Sequence, residues 1–255
     1  MAPQLISSGP TLTLVAFDPA GLGVVTPARP STAEDVFRSQ PDVLVAIGGP
    51  MFSFCEGQPR DYGRYDCGRV NYALRDEDRG THIPGLRSND QDGVTFSVVG
   101  GALVAARGNA PAPGARVSIQ TYPGLVEDGQ VAVGSPTSGP DSENNGRVGL
   151  GVLRDGRAFF AYARCSLRVF AERLRSAGAV WAGYTDGGGS SSLVTRLGAE
   201  LVGVDADDPR GRRLPSWVVW SSPRSEVSWG VIAALLAAAA GGGALLTVWR
   251  RRRRS

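Results

Sequence analysis

The chain of 255 residues is 42% hydrophobic, enough for one sizeable core, so it reads as one principal globular domain rather than two. Its net charge of +3 rests on the arginines at 250–254; with those five set aside, 22 basic against 24 acidic residues leave −2, which excludes a basic nucleic-acid-binding surface. All 27 basic residues are arginine, so arginine richness alone marks no phosphate site, and one histidine with no Cys-x-x-Cys spacing offers no zinc site.

The 35 glycines and 17 prolines imply many turns. Together with short alternating apolar runs they predict an α/β (α+β) fold, a mixed β-sheet domain with a few flanking helices. In chain order, Thr11 to Phe17 reads as an early strand. Ser31 followed by Glu34 forms a capping-box pattern, and STAEDVFRSQ is expected as a short helix. Asp42 to Ile47, DVLVAI, is a buried strand ending in Gly48, Gly49 and Pro50. Residues 53–92 form a long polar stretch with few apolar residues, expected as a functional loop. Within it Cys55 and Cys67 stand twelve apart, and a disulfide there would staple the loop.

Hairpins are expected at Gly100 and Gly101, around Asp128 and Gly129, and between RVGLGVL and RAFFAYA at Asp155 and Gly156, where Asp-Gly favours the two-residue turn. Cys165 follows as a leftover buried thiol. Leu167, Phe170, Ala171 and Leu174 recur at helical spacing, with Gly178 placed as a C-cap. The strand AVWAGYT follows, and then DGGGSSSLV. Helix, strand and glycine-rich turn thus occur twice, at 32–50 and 167–189, and the two turns are expected to line one pocket.

The domain is expected to run over 1–222, followed by a linker at 223–228. Residues 229–249 carry no charge, and a helix over them is about 30 Å long, the thickness of a bilayer core. Trp229 and Trp249 at its ends and the arginine-rich tail at 250–255 predict one C-terminal transmembrane helix with that tail in the cytoplasm and the domain outside it. The first residues, MAPQLISSGPTLTLVAF, lack a basic start and a small-residue cleavage site, so the expectation is a start upstream of Met1, the alternative being a cytoplasmic domain.

Glycine allows backbone N–H groups to converge on an anion, and adjacent serines add donors, so Gly187 to Ser192 is a candidate oxyanion or phosphate cradle. Asp186 is open to four readings: nucleophile, general base, metal ligand, or the first residue of a turn. No GxxxxGK[ST] is present, Ser190 and Ser191 are outside a GxSxG elbow, and a serine triad would have only His82 as its base.

DGGGSSSLV after a helix and strand, with RVGLGVLRDGRAFF and VAIGGPMFSF before it, resembles the phosphodiester glycosidase family. The family pattern of an asparagine and glycines before a phenylalanine falls on Gly48, Gly49 and Phe52, with Gly48 at the asparagine position. Its arginine strand falls on Arg147 to Gly151, and its final DGGGSS on Asp186 to Ser191. The resemblance covers roughly residues 11–222. It implies a hydrolase that cleaves a sugar from a sugar-1-phosphodiester, a carbohydrate phosphodiester being the partner, in cell-envelope glycans.

A phosphate monoester is a good leaving group, so charge stabilisation matters more than general-acid help. That assigns Arg147 and the Gly187, Gly188, Gly189, Ser190 and Ser191 loop to the phosphate, with Gly48 and Gly49 beside the substrate. Asp186 is the first candidate for the carboxylate facing the sugar cation and Glu56 the second; His82 is a candidate general acid. A divalent cation shared by a carboxylate and the phosphate stays open as a cofactor. The rival expectation is a catalytically silent sugar-phosphate-binding domain.

Overall fold

The computed structural model describes residues 3–7, 11–50, 52–53, 69–70, 72–85, 93–133, 144–197, 200–205 and 213–222, all within one compact unit, Met1–Ser222. In chain order its first elements are β1 (Gln4–Ser7), β2 (Thr13–Phe17), β3 (Leu22–Val25), α1 (Ala33–Ser39), β4 (Val43–Gly48), β5 (Phe52–Ser53) and β6 (Arg69–Val70). The middle holds β7 (Leu74–Asp76), β8 (Thr81–Ile83), β9 (Val94–Val99), β10 (Ala102–Arg107), β11 (Val117–Thr121), β12 (Gly124–Glu127) and β13 (Gln130–Val131). Then come β14 (Asn145–Leu153), β15 (Ala158–Cys165), α2 (Leu167–Ser176), β16 (Ala179–Gly187), β17 (Ser192–Leu197), β18 (Glu200–Asp205) and β19 (Trp217–Ser221).

The strands form three main sheets: sheet I in the order β1-β2-β15-β14-β16-β12-β13, sheet II as β10-β9-β11-β7-β8, and sheet III as β18-β17-β4-β19-β3. Every pairing among the described residues is antiparallel. The expected sheet domain with a few flanking helices is present, as antiparallel sheets with two helices among the described residues. The cause lies in the connections: a parallel pair needs a crossover of a dozen or more residues, whereas this chain is punctuated by short glycine turns. Gly100, Gly101, Gly129 and Gly156 all have positive φ at the expected hairpins, which a side chain would disfavour.

Inner faces of all three sheets share one core, with Phe17 and Phe160 of sheet I, Phe96 and Val117 of sheet II, and Ile47, Val218 and Trp220 of sheet III. The outer face of sheet I is covered by α2, which buries Leu167, Phe170, Ala171 and Leu174 at the expected spacing; each buried leucine or phenylalanine contributes about 1.5–3 kcal/mol. Ser166 caps the helix by accepting from the Val169 N–H, and Gly178, just past the cap, has φ +96°. On the outer face of sheet III, α1 packs Val36 and Phe37 against Val43, Trp217 and Val219. Its capping box is Thr32 with Asp35, one residue later than the Ser31–Glu34 reading. Ser31 is instead drawn into a bridge with Leu214, whose amide it accepts and whose carbonyl it meets.

The polar stretch expected as loop contains strands β7 and β8 of sheet II. Leu74 is buried, and buried Asp76 accepts from the Val24 N–H at 2.8 Å and from Arg79 at 3.2 Å. A carboxylate inside a strand hides that strand from hydrophobic patterning. Among the described residues no helix is long and apolar enough to cross a membrane; the expected span 229–249 lies outside them, as do Cys55, Glu56 and Cys67.

Candidate active site at the end of strand β16

Strand β16 runs through Asp186 to Gly187 rather than stopping at Thr185. Its register against β14 pairs Gly149 with Tyr184, Val148 with Asp186 and Arg147 with Gly187, so Thr185 is the extra residue of a bulge. Because side chains alternate along a strand, Arg147, Tyr184 and Gly187 share one face and Asp186 leaves from the other with Val148. A Cβ added at Gly149 or Gly151 would meet Phe170 or Phe159, which identifies the Arg147 face as the one covered by α2. Val148 belongs to the inner core, which identifies the Asp186 face as the one toward the other sheets.

On the α2 side the polar groups are locked together. Arg147 is 2% exposed; its Nε donates to the Cys165 carbonyl at 3.1 Å and its Nη1 to the Tyr184 hydroxyl at 3.0 Å. That hydroxyl fills the volume a side chain at Gly187 would need, since a Cβ there would lie 1.6 Å from it and 3.0 Å from Arg147 Nη1. Gly187 is therefore required by packing, its own φ of −151° being open to any residue. Burial pushes the Cys165 thiol up despite the nearby Arg173 and Arg147, leaving it protonated and inert.

On the inner side, Asp186 is buried and its Oδ1 accepts from the Gly187 N–H at 2.7 Å. A 3-10 turn over Gly188–Ser190 follows, with Gly188 at φ +65° and the Ser191 N–H donating to the Gly188 carbonyl at 3.2 Å. The amides of Gly187 and Ser191 are thereby engaged within the protein. The turn carries the chain from sheet I into β17 of sheet III, where Leu193 pairs with Ile47. The two glycine turns meet here: a Cβ at Gly48 would lie 3.0 Å from the Ser190 carbonyl oxygen and 3.0 Å from Leu214 Cδ1.

Continuing the β4–β19 pairing by one residue sets Gly49 opposite Ser216, ahead of β19. The Gly49 N–H donates to the Ser216 carbonyl at 3.0 Å, and a Cβ at Gly49 would come within 2.2 Å of Ser216 Oγ. Ser216, Thr185 and Tyr184 are the residues that sequence reading missed. No motif announces Ser216 in LPSW; only strand pairing brings it to Gly49.

Of the residues expected at the site, the structure brings Asp186, Gly187, Gly188, Ser190 and Ser191 together with Gly48 and Gly49. Gly189 is part of the same 3-10 turn. Arg147 adjoins them in register but leaves from the opposite face. His82 is exposed on β8, the outer strand of sheet II, where it pairs with Arg75. Glu56 and the Cys55–Cys67 pair lie outside the described residues. Among the described residues no three His, Cys, Asp or Glu side chains cluster as a metal site.

The model of the family described as phosphodiester glycosidase matches residues 43–220. No match is found among curated proteins. Among solved structures, the chain is similar to the zebrafish N-acetylglucosamine-1-phosphodiester alpha-N-acetylglucosaminidase catalytic domain, described as auto-inhibited by its pro-peptide, at TM-score 0.59 and 16% identity, covering 84% of this chain and 77% of that one. A hypothetical protein from Synechocystis follows at TM-score 0.48 and 16% identity, with 86% and 61% covered. A putative exported protein from Burkholderia pseudomallei gives TM-score 0.49 and 15% identity, with 83% and 74% covered. With the family pattern matched over most of the length, from β4 through the glycine turn to β19, this chain belongs to the phosphodiester glycosidase family.

Proposed function

We propose that the chain hydrolyses a sugar-1-phosphodiester at the inner end of β16, releasing the free sugar and a phosphate monoester. Family membership supports a glycosidase-type hydrolase; the observation that carries the finer reading is the buried Asp186 carboxylate, fixed by the Gly187 amide beside the point where both glycine turns meet. As the sugar–phosphate bond lengthens, positive charge grows on the sugar and negative charge on the departing phosphate. Asp186 stabilises the first, and the Gly188–Ser190 backbone receives the second. Arg147 acts indirectly, by fixing Tyr184 and the strand end; Glu56 keeps its place as the second carboxylate in this proposal. Water completes the hydrolysis, its proton passing to the leaving phosphate.

The substrate belongs to cell-envelope glycans in this reading, with the domain held outside the cytoplasm by residues 229–249 and the arginine tail. The uncharged span flanked by Trp229 and Trp249 supports it. Extraction of the chain from membranes by alkaline carbonate alone would remove the anchor from the proposal.

The full chain, assayed with a panel of sugar-1-(methyl phosphate) diesters, is expected to release free sugar from at least one, and Asp186→Asn to release none. Equal release by both proteins removes Asp186 from the mechanism. A second reading, a silent sugar-phosphate-binding domain, is favoured by Gly48: no side chain projects from the family's asparagine position, and the Ser190 carbonyl stands 3.0 Å from where its Cβ would be. Binding of the diesters without turnover selects that reading.

A further inference from the structure

We infer that Arg164, near the end of β15, binds the phosphate of the sugar-1-phosphodiester on the face of sheet I that carries Asp186. Strand register places it there. Along β15, Ala158, Phe160 and Tyr162 point into the inner core, whereas Phe159, Ala161, Ala163 and Cys165 point toward α2. Arg164 continues the inner series by alternation, and it is exposed while every other residue of the strand is buried. Val148 on β14 ties that series to Asp186, because it pairs with Tyr162 on one side and with Asp186 on the other. Arg164 itself pairs with Gly146, two residues along β14 from Val148, and that glycine puts no side chain between Arg164 and the end of β16. Two strand spacings across and two residues along set the Arg164 and Asp186 backbones about 12 Å apart. The inner face of sheet I thus turns from apolar to cationic just beyond Tyr162 and Val148, and Arg164 marks where it opens to solvent.

The two charges match the two ends of the proposed substrate. During cleavage the sugar gains positive charge and the phosphate negative charge, and a carboxylate and a guanidinium at separate points of one face answer them in that order. Arg164 and Asp186 form no ion pair with each other, and their separation is one that a sugar phosphate held between the two side chains can bridge. The neighbouring cations are engaged elsewhere: Arg147 bonds the Cys165 carbonyl and the Tyr184 hydroxyl, Arg168 bonds Glu172, and Arg173 bonds the Thr11 carbonyl. Arg164 makes no hydrogen bond or ion pair with a described residue, so its planar fork is available to hold two phosphate oxygens at once. This assignment rests on the proposed hydrolase reading for the sugar half of the ligand; the phosphate half is tested apart from turnover.

Methyl phosphate, which carries the phosphate chemistry without the sugar and is not consumed, is titrated into the full chain and into Arg164→Ala, Arg164→Lys and Arg175→Ala. Thermal unfolding is followed in parallel, and kcat and KM are measured for any diester of the sugar-1-(methyl phosphate) panel that turns over. Arg175 is an exposed arginine in the last turn of α2, so its loss removes the same charge from the opposite side of sheet I. Arg164→Ala is expected to weaken methyl phosphate binding about ten-fold or more and to raise the diester KM by a similar factor. Arg164→Lys should restore part of the binding, since it keeps the charge but not the fork, and Arg175→Ala should stay within two-fold. All three variants should unfold at the wild-type temperature, as exposed substitutions do. No methyl phosphate binding by the wild type, unchanged binding in Arg164→Ala, an equal loss in Arg175→Ala, or a lowered unfolding temperature in both Arg164 variants overturns the assignment. Turnover with an unchanged KM in Arg164→Ala sinks the role of Arg164 alone, and Arg164-dependent phosphate binding in a wild type that turns over no diester sinks the hydrolase alone.

Discussion

The two faces of the β14–β16 strand pair, a single peptide thickness apart, treat polar groups in opposite ways. Toward α2, the Arg147 guanidinium, the Cys165 carbonyl and the Tyr184 hydroxyl bond one another, and Gly187 omits the side chain that would separate them. Toward the interior, the buried Asp186 carboxylate leaves the pair at the bulge of Thr185, whose hydroxyl has no partner among the described residues. A polar cluster that satisfies itself holds a fold, whereas a group left without a partner under burial costs stability. The face with the Arg147 cation is therefore the structural one here, and the proposed hydrolysis belongs to the face with the carboxylate.

Asp186→Asn tests the inner face most directly. It is expected to lower diester turnover by about a thousand-fold or more, the scale of losing a preorganised electrostatic group, while circular dichroism stays native. Retained turnover would move the chemistry elsewhere.

Gly187→Ala strains the outer face instead. Overpacking against Tyr184 should destabilise by about 2–3 kcal/mol in urea unfolding, and Tyr184→Phe in the same chain should recover part of the loss because the hydroxyl that clashes is gone. Strict additivity of the two changes would break the account of why this position is glycine.

Smaller effects are expected farther along the same layer. Ser166→Ala removes the α2 N-cap and should cost about 1 kcal/mol, with the KM of any accepted diester unchanged, since α2 covers the face opposite the proposed site. A raised KM would couple the two faces.

The smallest effect concerns α1. The Thr32 backbone amide, followed by its hydroxyl and the cations Arg213 and Arg38, holds the Asp35 carboxyl below its ordinary range against some desolvation. A depressed folded-state pKa means the stabilisation is fully present above the unfolded value, about 4, and is lost as pH falls through the folded value. The stability difference between wild type and Asp35→Asn should thus be constant above pH 5 and shrink below pH 4; a difference that grows on acidification would contradict the capping box.

Much of the fold was legible in the chain. Both helices, the hairpins at Gly100–Gly101 and Asp155–Gly156, and strand β4 follow from periodicity, caps and turn chemistry, which are local properties. The shift of the capping box from Ser31 to Thr32 is a choice between two adjacent patterns, decided by the Ser31–Leu214 bridge. Strand β7 was not legible, because Asp76 interrupts its pattern and is tolerated only through Val24 and Arg79. The same division holds at the site, where Asp186 and the glycine turn stand in a readable motif but the direction of Arg147 does not.

By itself, then, the sequence determined which segments form helices and hairpins, which motif ends β16, and which family the motif resembles, because each depends on residues near one another in the chain. Tertiary structure decided that the sheets are antiparallel, that a bulge at Thr185 turns Asp186 inward while Arg147 faces α2, and that Ser216 comes to lie over Gly49. Those outcomes depend on strand register, and a register joins residues as distant as Gly48 and Trp217, so no local pattern encodes it.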